Sequence, residues 1–185
     1  LGLFTLVREE SPGWYVAPED PLEVRVVKGN VLFCVPKTAE IDRVCAKEPD
    51  LNMYMQKGLG VHIATRLRRL YGIDIRDQSR NRDLARQGSA TGNLATIDLS
   101  SASDSVTCEL ISQLLPPMWN DVLHAVRSPE TLIDGTRHVN VMISSMGNGF
   151  TFPLQTLVFF ALAKATCYLL GVRGTISVYG DDIIL

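Results

Sequence analysis

The sequence predicts an α+β fold in which helices cover one face of a mostly antiparallel sheet. Short runs with the two-residue alternation of strands come in pairs around turns, whereas residues 52–71 and 151–170 show the apolar spacing of helices. The second half reads strand, helix, hairpin, helix, hairpin, an order typical of this class. The 185 residues, 46% of them hydrophobic, suffice for one large or two small domains and exclude a disordered chain.

The first half is predicted to contain two strands and one long helix. Three prolines within residues 1–22 indicate irregular, extended backbone at the start. The later elements are, in chain order, strands over residues 23–27 and 31–35 around the turn Lys28-Gly29-Asn30, a polar segment with Arg43 and Lys47, a helix over residues 52–71 that ends at Gly72, and a basic stretch to Arg86.

The second half alternates strands and helices. The long helix has Thr151 as its cap and ends at Gly171, and because it is apolar nearly all round we expect it to be buried. Lys164 interrupts its apolar run before the length of a bilayer span is reached. The elements are a strand over residues 94–98, helices over 106–115 and 118–126, a hairpin of 132–133 and 138–143, a helix over 151–170, and a hairpin of 175–179 and 182–185.

A turn-rich joint over residues 87–93 predicts a boundary between residues 1–93 and residues 94–185. We also expect the sequence to be a fragment of a longer protein. It starts at Leu1 rather than at Met, and Leu185 lies inside an apolar strand directly after an acidic turn. No signal peptide is visible.

Charge is distributed unevenly along the chain. Residues 57–86 hold eight Lys and Arg against three Asp, a net charge of +5, although the whole chain carries −2. Such a segment either binds phosphate groups or is a solvated helix face, and its composition alone favours neither. The four cysteines show no metal-ligand spacing and indicate a reduced, cytosolic setting, and we assign no metal role to the three histidines.

The acidic turn Tyr179-Gly180-Asp181-Asp182 is the strongest chemical signal. Two adjacent carboxylates at the tip of an apolar hairpin are costly to bury unless cations neutralise them. Asp98 ends another apolar strand in the same way. Mg²⁺ prefers oxygen ligands of this kind, and three aspartates at strand ends are what a two-metal phosphoryl-transfer site requires.

Three further segments contain candidate site residues. Asp104 either contacts a substrate hydroxyl or caps the following helix, and these roles are compatible. The small-residue loop 144–151 leads into a helix N-terminus and allows close approach of a ligand. Lys37 and Arg43 either clamp a triphosphate or lie on a solvated loop.

These motifs resemble those of viral RNA-dependent RNA polymerases. Residues 179–182 resemble motif C, Asp98 with Asp104 resembles motif A, and residues 145–151 before an apolar helix resemble motif B, in the order A, B, C. The versions found here are similar to those of the replicase catalytic (β) subunit of single-stranded RNA bacteriophages, the levivirus group that includes Qβ. Residues 48–53 and 87–89 also resemble that group.

The resemblance implies a right-hand polymerase, with residues 1–93 as part of the fingers, residues 94–185 as the palm, and the thumb missing. It implies RNA-templated RNA synthesis from NTPs, with two Mg²⁺ ions, or Mn²⁺ as a substitute, held by the metal ligands Asp98, Leu99 (through its carbonyl), Asp181 and Asp182. NTP contacts are expected from Lys37, Arg43, Asp104, Ser145, Gly147, Asn148 and Thr151, and RNA contacts from Arg66, Arg69, Arg80, Arg82 and Gly149.

The resemblance also implies partners and a location. Replicases of this group work with the host translation elongation factors Tu and Ts and a ribosomal protein, in the cytoplasm of the bacterial host and without a membrane. Asp104 would sense the ribose 2′-hydroxyl, with either Gln155 or Asn148 as its partner. Without a thumb, the 185 residues alone are expected to be inactive.

Three alternatives compete with this interpretation. A reverse transcriptase shares the Y-x-D-D turn but needs a bulky gate against the 2′-hydroxyl, whereas Asp104 favours ribonucleotides. A non-catalytic RNA-binding module fits the basic segment, although unneutralised carboxylates repel RNA. A Ca²⁺-binding structural domain would need a loop of alternating oxygen ligands, which the sequence lacks.

Overall fold

The computed structural model describes residues 3–7 and 23–185, with side chains described from residue 25 onward. The described residues form an α+β fold, as predicted. Its strands are β1 Leu3–Val7, β2 Glu23–Val27, β3 Asn30–Pro36, β4 Asp42–Lys47, β5 Thr96–Ile97, β6 Glu130–Ile133, β7 Thr136–Val139, β8 Ser177–Tyr179 and β9 Asp182–Ile184. Its helices are α1 Asp50–Tyr71, α2 Ser79–Thr91, α3 Cys108–Leu114, α4 Pro117–Val126 and α5 Thr151–Leu169, and Ser103–Ser105 form a 3₁₀ turn.

These strands belong to three sheets rather than to the one sheet predicted. The hairpin β1–β2 stands as a pair, a second sheet has the order β4-β3-β6-β7 with β3 and β6 parallel, and a third has the order β5-β9-β8. Gly29 and Asn30 explain why the β6–β7 hairpin joins β3. A Cβ on Gly29 would overlap the Glu130 carbonyl, and the Thr131 hydroxyl donates to Asn30 Oδ1 at 2.6 Å.

Several predictions for the first half are wrong. The segment expected to be irregular contains β1, which pairs with β2, whereas residues 8–22 lie outside the described residues. The strand β3 pairs with β4, which occupies the segment predicted to be polar. It does not pair with β2, the strand on the other side of the Lys28–Asn30 turn. Cross-strand pairing along six positions stabilises β4, although most of its side chains are exposed.

The basic stretch and the turn-rich joint form the helix α2. The helix continues through residues 87–91 and ends at Gly92, which has a φ of 69°. Gly88 is buried within the helix and packs so closely that a Cβ there would lie 2.7 Å from the Leu94 carbonyl oxygen. This glycine therefore serves close packing rather than a turn, and the domain boundary at residue 93 stays a prediction.

The hydrophobic core forms where α1, α3, α4 and α5 meet β8 and β9. It includes Leu67, Ile111, Leu123, Phe150 and Val178, each at most 2% exposed. The helix α1 ends at Gly72 with a φ of 68°, as predicted. The third sheet and the start of α5 therefore pack against the same hydrophobic core.

The helix α5 is buried only over its first half. Its residues up to Phe160 are largely buried, whereas Leu162, Tyr168 and Leu169 are 61–85% exposed, so the prediction of a wholly internal helix is wrong. By length and composition α5 would suffice to cross a membrane, but 44% of that window is buried inside the protein. Thr151 is not its cap: it is the first helical residue, and its hydroxyl donates to the Ser145 carbonyl at 2.8 Å.

Candidate functional site

The acidic turn joins β8 to β9 as predicted. Tyr179 pairs with Asp182 across the hairpin, so Gly180 and Asp181 form the turn itself. Gly180 has a φ of 65°, its N–H donates to the Thr156 hydroxyl at 3.0 Å, and a Cβ there would overlap the Phe152 ring. The turn is therefore seated on the first turns of α5.

Asp98 and Asp182 lie at the ends of neighbouring strands. The strand β5 pairs antiparallel with β9 through Ile97 and Ile183, and one residue further on Asp98 and Asp182 line the same cavity of about 320 Å³. Both aspartates are exposed and Asp181 is half-buried, so the cost of burial expected from the sequence does not arise. The side chain of Leu99 packs against the core.

The described residues do not by themselves assemble a three-carboxylate cluster. Within residues 25–185, no three His, Cys, Asp or Glu side chains form a group that could hold a metal ion. The pair that it does bring to one cavity is Asp98 and Asp182.

The start of helix α2 and the residue before it contribute polar contacts to Asp182 that the sequence interpretation missed. Gln78 Nε2 donates to Asp182 Oδ2 at 3.1 Å, and Asn81 Nδ2 donates to the Asp182 carbonyl at 3.1 Å. Asn81 Oδ1 in turn accepts from the Ser177 hydroxyl at 2.6 Å. The available signal was two uncharged polar residues three positions apart within a charged stretch, a spacing that places them on one helix face.

Asp104 belongs to a different cavity from Asp98. It lies in the 3₁₀ turn and lines a cavity of about 210 Å³ with Ser145, Met146 and residues of β4. It is not the cap of α3, because the Thr107 hydroxyl performs that role by accepting from the Leu110 N–H at 3.1 Å. The structure thus brings Asp104 together with the loop before α5.

That loop, residues 144–150, is here called the glycine loop. Its Met146 carbonyl accepts from the Ala46 N–H at 2.8 Å, and Gly147 has a φ of 108° with no room for a Cβ against the Ala46 carbonyl. At its other end the Gly149 N–H donates to Gln56 Oε1 at 3.2 Å. Its glycines therefore permit close approach, as predicted, but to β4 and α1 of the same chain.

Two amide side chains were candidates for the partner of Asp104. Asn148 is 7% exposed. Its Oδ1 accepts from the Phe150 N–H at 3.0 Å, and its buried Nδ2 has no hydrogen-bond partner among the described residues. Gln155 instead lies against the acidic turn, with its Nε2 3.1 Å from where a Cβ of Gly180 would be.

A buried polar network holds the glycine loop in place through Gln56. Glu48 is 3% exposed and accepts hydrogen bonds from Asn30, Gln56 and Ser128 at 2.7–2.9 Å. Gln56 also donates to the Val126 carbonyl at 2.8 Å and accepts from Gly149. The sequence had marked residues 48–53 only by resemblance, because an acidic residue before a proline does not reveal burial.

The predicted cationic residues lie in separate places. Lys37 and Arg43 are exposed at the tip of the β3–β4 hairpin, where the Lys37 N–H donates to the Ile41 carbonyl at 2.9 Å. Arg82 lines the cavity of Asp98 and Asp182, and Arg80 donates to the Gly72 carbonyl at 3.5 Å.

The two arginines of α1 that were predicted to contact RNA lie apart from that cavity. Arg66 lines an apolar groove beside Trp119, and Arg69 is exposed in the last turn of α1. Nearby, hydrogen bonds from Arg76 hold the pKa of Asp74 far below its usual value. Part of the positive charge of this segment is therefore compensated internally.

Comparison with known proteins identifies similar chains. A family model described as "RNA replicase, beta-chain" matches residues 11–185. The chain is 53% identical over 161 residues to the RNA-directed RNA polymerase beta chain of Enterobacteria phage GA, covering 87% of this chain and 30% of that protein. It is 49% identical over 182 residues to the corresponding beta chain of Escherichia phage MS2, covering 97% and 33%.

A third relative is similar to this chain to a comparable degree. The chain is 48% identical over 158 residues to the RNA-directed RNA polymerase subunit beta of Escherichia virus Qbeta, covering 84% of this chain and 27% of that protein. The chain therefore spans a third or less of the length of these three relatives.

Proposed function

The chain belongs to the RNA replicase beta-chain family, and on this premise we propose that it carries the catalytic carboxylates of an RNA-directed RNA polymerase. The reaction is template-directed RNA synthesis from NTPs on a viral RNA. The observation that carries the proposal is that Asp98 and Asp182, at the ends of neighbouring strands, line one cavity. Residues 94–185 would be the palm and residues 1–93 part of the fingers.

The donor set in this cavity suits a hard divalent cation. The carboxylates of Asp98 and Asp182 offer oxygen ligands, and Asp181 adds another from the adjoining turn, with the Leu99 carbonyl as a further ligand. Mg²⁺ bound there, or Mn²⁺ in its place, would activate the nascent 3′-hydroxyl and neutralise the leaving pyrophosphate. The role of the chain is to hold these oxygens at the ends of paired strands.

Other residues would orient the nucleotide. Asp104 and Ser145 line one cavity beside the glycine loop, which makes Asp104 the candidate for contact with the ribose 2′-hydroxyl. The buried Asn148 Nδ2, which has no partner in the described part of the chain, is a hydrogen-bond donor in the same loop. Gly147 and Thr151 would shape this loop, and Lys37 and Arg43 would hold the triphosphate from the β3–β4 hairpin.

The RNA contacts would come from the cations of α1 and α2. Arg82 lines the carboxylate cavity itself, and Arg66, Arg69, Arg80 and the Gly149 backbone are the other proposed RNA contacts. Partnership with the host translation elongation factors Tu and Ts and a ribosomal protein, and action in the bacterial cytoplasm, are proposed from family resemblance.

Templated incorporation by the full-length protein tests the proposal. With an RNA template and Mg²⁺ we expect rNTPs to be incorporated in preference to dNTPs, and Asp98→Asn to reduce incorporation to background while Asp121→Asn, an exposed position on α4, retains it. Preference for dNTPs would indicate a reverse transcriptase. RNA binding without incorporation would indicate a non-catalytic module, and full activity of Asp98→Asn would remove that residue from the site.

A further inference from the structure

We propose that Gln78 and Asn81 of the α2 region are positioning residues for Asp182, setting which carboxylate oxygen is offered to a divalent cation. This rests on the proposed function, because it assumes that Asp182 is a metal ligand. Neither residue carries a charge. Their role follows from two hydrogen bonds that join α2 to opposite ends of the same aspartate.

The first contact fixes the side chain of Asp182. Gln78 Nε2 donates to Oδ2 at 3.1 Å. In the described part of the chain Oδ1 of Asp182 accepts no hydrogen bond, so the contact distinguishes two otherwise equivalent oxygens. A metal-ligating carboxylate is commonly oriented in this way by a neutral donor, which leaves the other oxygen for the metal. A cation in place of the amide would compete with the metal for the carboxylate charge.

The second contact fixes the backbone beneath that side chain. Asn81 is 6% exposed, and its amide spans two strands, donating to the Asp182 carbonyl on β9 and accepting from Ser177 on β8. An asparagine side chain that uses both ends in this way holds the helix at one distance from the hairpin. The backbone from which the Asp182 side chain extends is thereby held in a fixed position.

The local sequence leaves Gln78 available for this purpose. Gln78 occupies the position before the first residue of α2, yet its side chain makes no capping bond there. The Asp77 carboxylate accepts from the Ser79 N–H at 2.8 Å instead. Because Asp77 serves the start of the helix, the Gln78 side chain can reach across to a residue 104 positions away.

Direct Mn²⁺ binding to the full-length protein, measured by electron paramagnetic resonance, tests the inference without relying on catalysis. We expect Gln78→Ala to weaken Mn²⁺ binding about 10-fold or more, the range found when partners of metal ligands are removed. Gln78 is exposed, so this variant should not unfold the protein.

Asn81→Leu provides an independent, uncharged variant of nearly the same size. It loses both the donor to the Asp182 carbonyl and the acceptor for Ser177, so we expect weaker Mn²⁺ binding from it as well. In each variant the Mg²⁺ concentration for half-maximal incorporation should rise in parallel, and saturating Mg²⁺ should restore most of kcat. A merely structural role would lower kcat at every Mg²⁺ concentration, and that result would overturn the inference.

Gln87→Ala is the matched control. Gln87 is an exposed glutamine on α2, nine residues beyond Gln78 and so on the opposite side of the helix. It should bind Mn²⁺ as the unaltered protein does. Unchanged Mn²⁺ affinity in Gln78→Ala, alongside a large loss in Asp182→Asn, would overturn this inference and leave the proposed function standing. Unchanged affinity in Asp182→Asn as well would overturn both.

Discussion

Gly60 of helix α1 and Gly149 of the glycine loop bring two backbone segments into direct contact. A Cβ on Gly60 would lie 2.5 Å from the Gly149 carbonyl oxygen, and a Cβ on Gly149 would lie 2.7 Å from the Lys57 amide nitrogen. The absence of both side chains lets Gln56 reach the Gly149 N–H. The position of the loop beside Asp104 therefore depends on a helix that begins nearly 100 residues earlier.

We expect Gly60→Ala to destabilise the protein by about 1–3 kcal/mol, because the added methyl group meets backbone atoms that cannot move aside. Gly58→Ala on the same helix is the matched control. No atom of the described residues lies within 4 Å of its added Cβ, so that variant should be more stable by about 0.5–1 kcal/mol. Urea unfolding measures both changes. Equal effects at the two positions would contradict the contact.

The Glu48 network predicts a second effect on stability. Both carboxylate oxygens of Glu48 accept hydrogen bonds, so Glu48→Gln places an amide donor where an acceptor is required. We expect the free energy of unfolding to fall by about 1–3 kcal/mol. Glu40→Gln, at an exposed position in the β3–β4 turn, should leave it unchanged within error. A Glu48→Gln variant as stable as the Glu40→Gln variant would show that the network contributes little.

The acidic turn predicts a separation of RNA binding from chemistry. In the full-length protein Asp181→Asn should abolish nucleotide incorporation, because the proposed metal site loses an anionic ligand, while RNA affinity stays largely intact. Asp134→Asn, in the exposed turn between β6 and β7, is the control and should retain activity. Filter binding and primer-extension assays give the two readouts. Incorporation retained by Asp181→Asn would remove Asp181 from the site.

The shared cavity of Asp104 and Ser145 predicts an effect on sugar selection. Asp104→Ala should raise KM for rNTPs more than for dNTPs, so the ratio of the two kcat/KM values should fall by about 10-fold, as expected when one hydrogen bond to a substrate hydroxyl is lost. Asp121→Asn again provides an unaffected reference. An unchanged ratio with reduced overall activity would place Asp104 in a structural role instead.

Local signals predicted the pieces of the fold well. The helix α1 with its end at Gly72, the hairpin around Asp134-Gly135 and the acidic turn at residues 180–181 all occur as expected. Each depends on periodicity or on a turn residue within a few positions. These local signals are present in the sequence regardless of where the element packs. The sequence also placed Asp98 at the end of an apolar strand, and in the structure it lines one cavity with Asp182.

The errors share one physical origin. The strand β4 looked like a polar loop because most of its side chains are exposed and pairing with β3 stabilises it. The helix α2 was divided in the prediction between a basic stretch and a turn-rich joint, since Gly88 suggests a turn until Leu94 is known to lie against it. In both cases the deciding partner lies outside the local window.

The sequence by itself determined the family, the α+β class, and the identity of the carboxylates that we propose bind metal. Only the tertiary structure decided how the strands divide among three sheets, that Asp98 and Asp104 line separate cavities, and that Gln78, Asn81 and Glu48 have specific polar partners. The reason is that hydrogen-bond partners separated by 104 residues, as Gln78 and Asp182 are, meet only after the core has fixed their helices and strands. A polar residue whose partner is distant cannot be distinguished in the sequence from one that faces water.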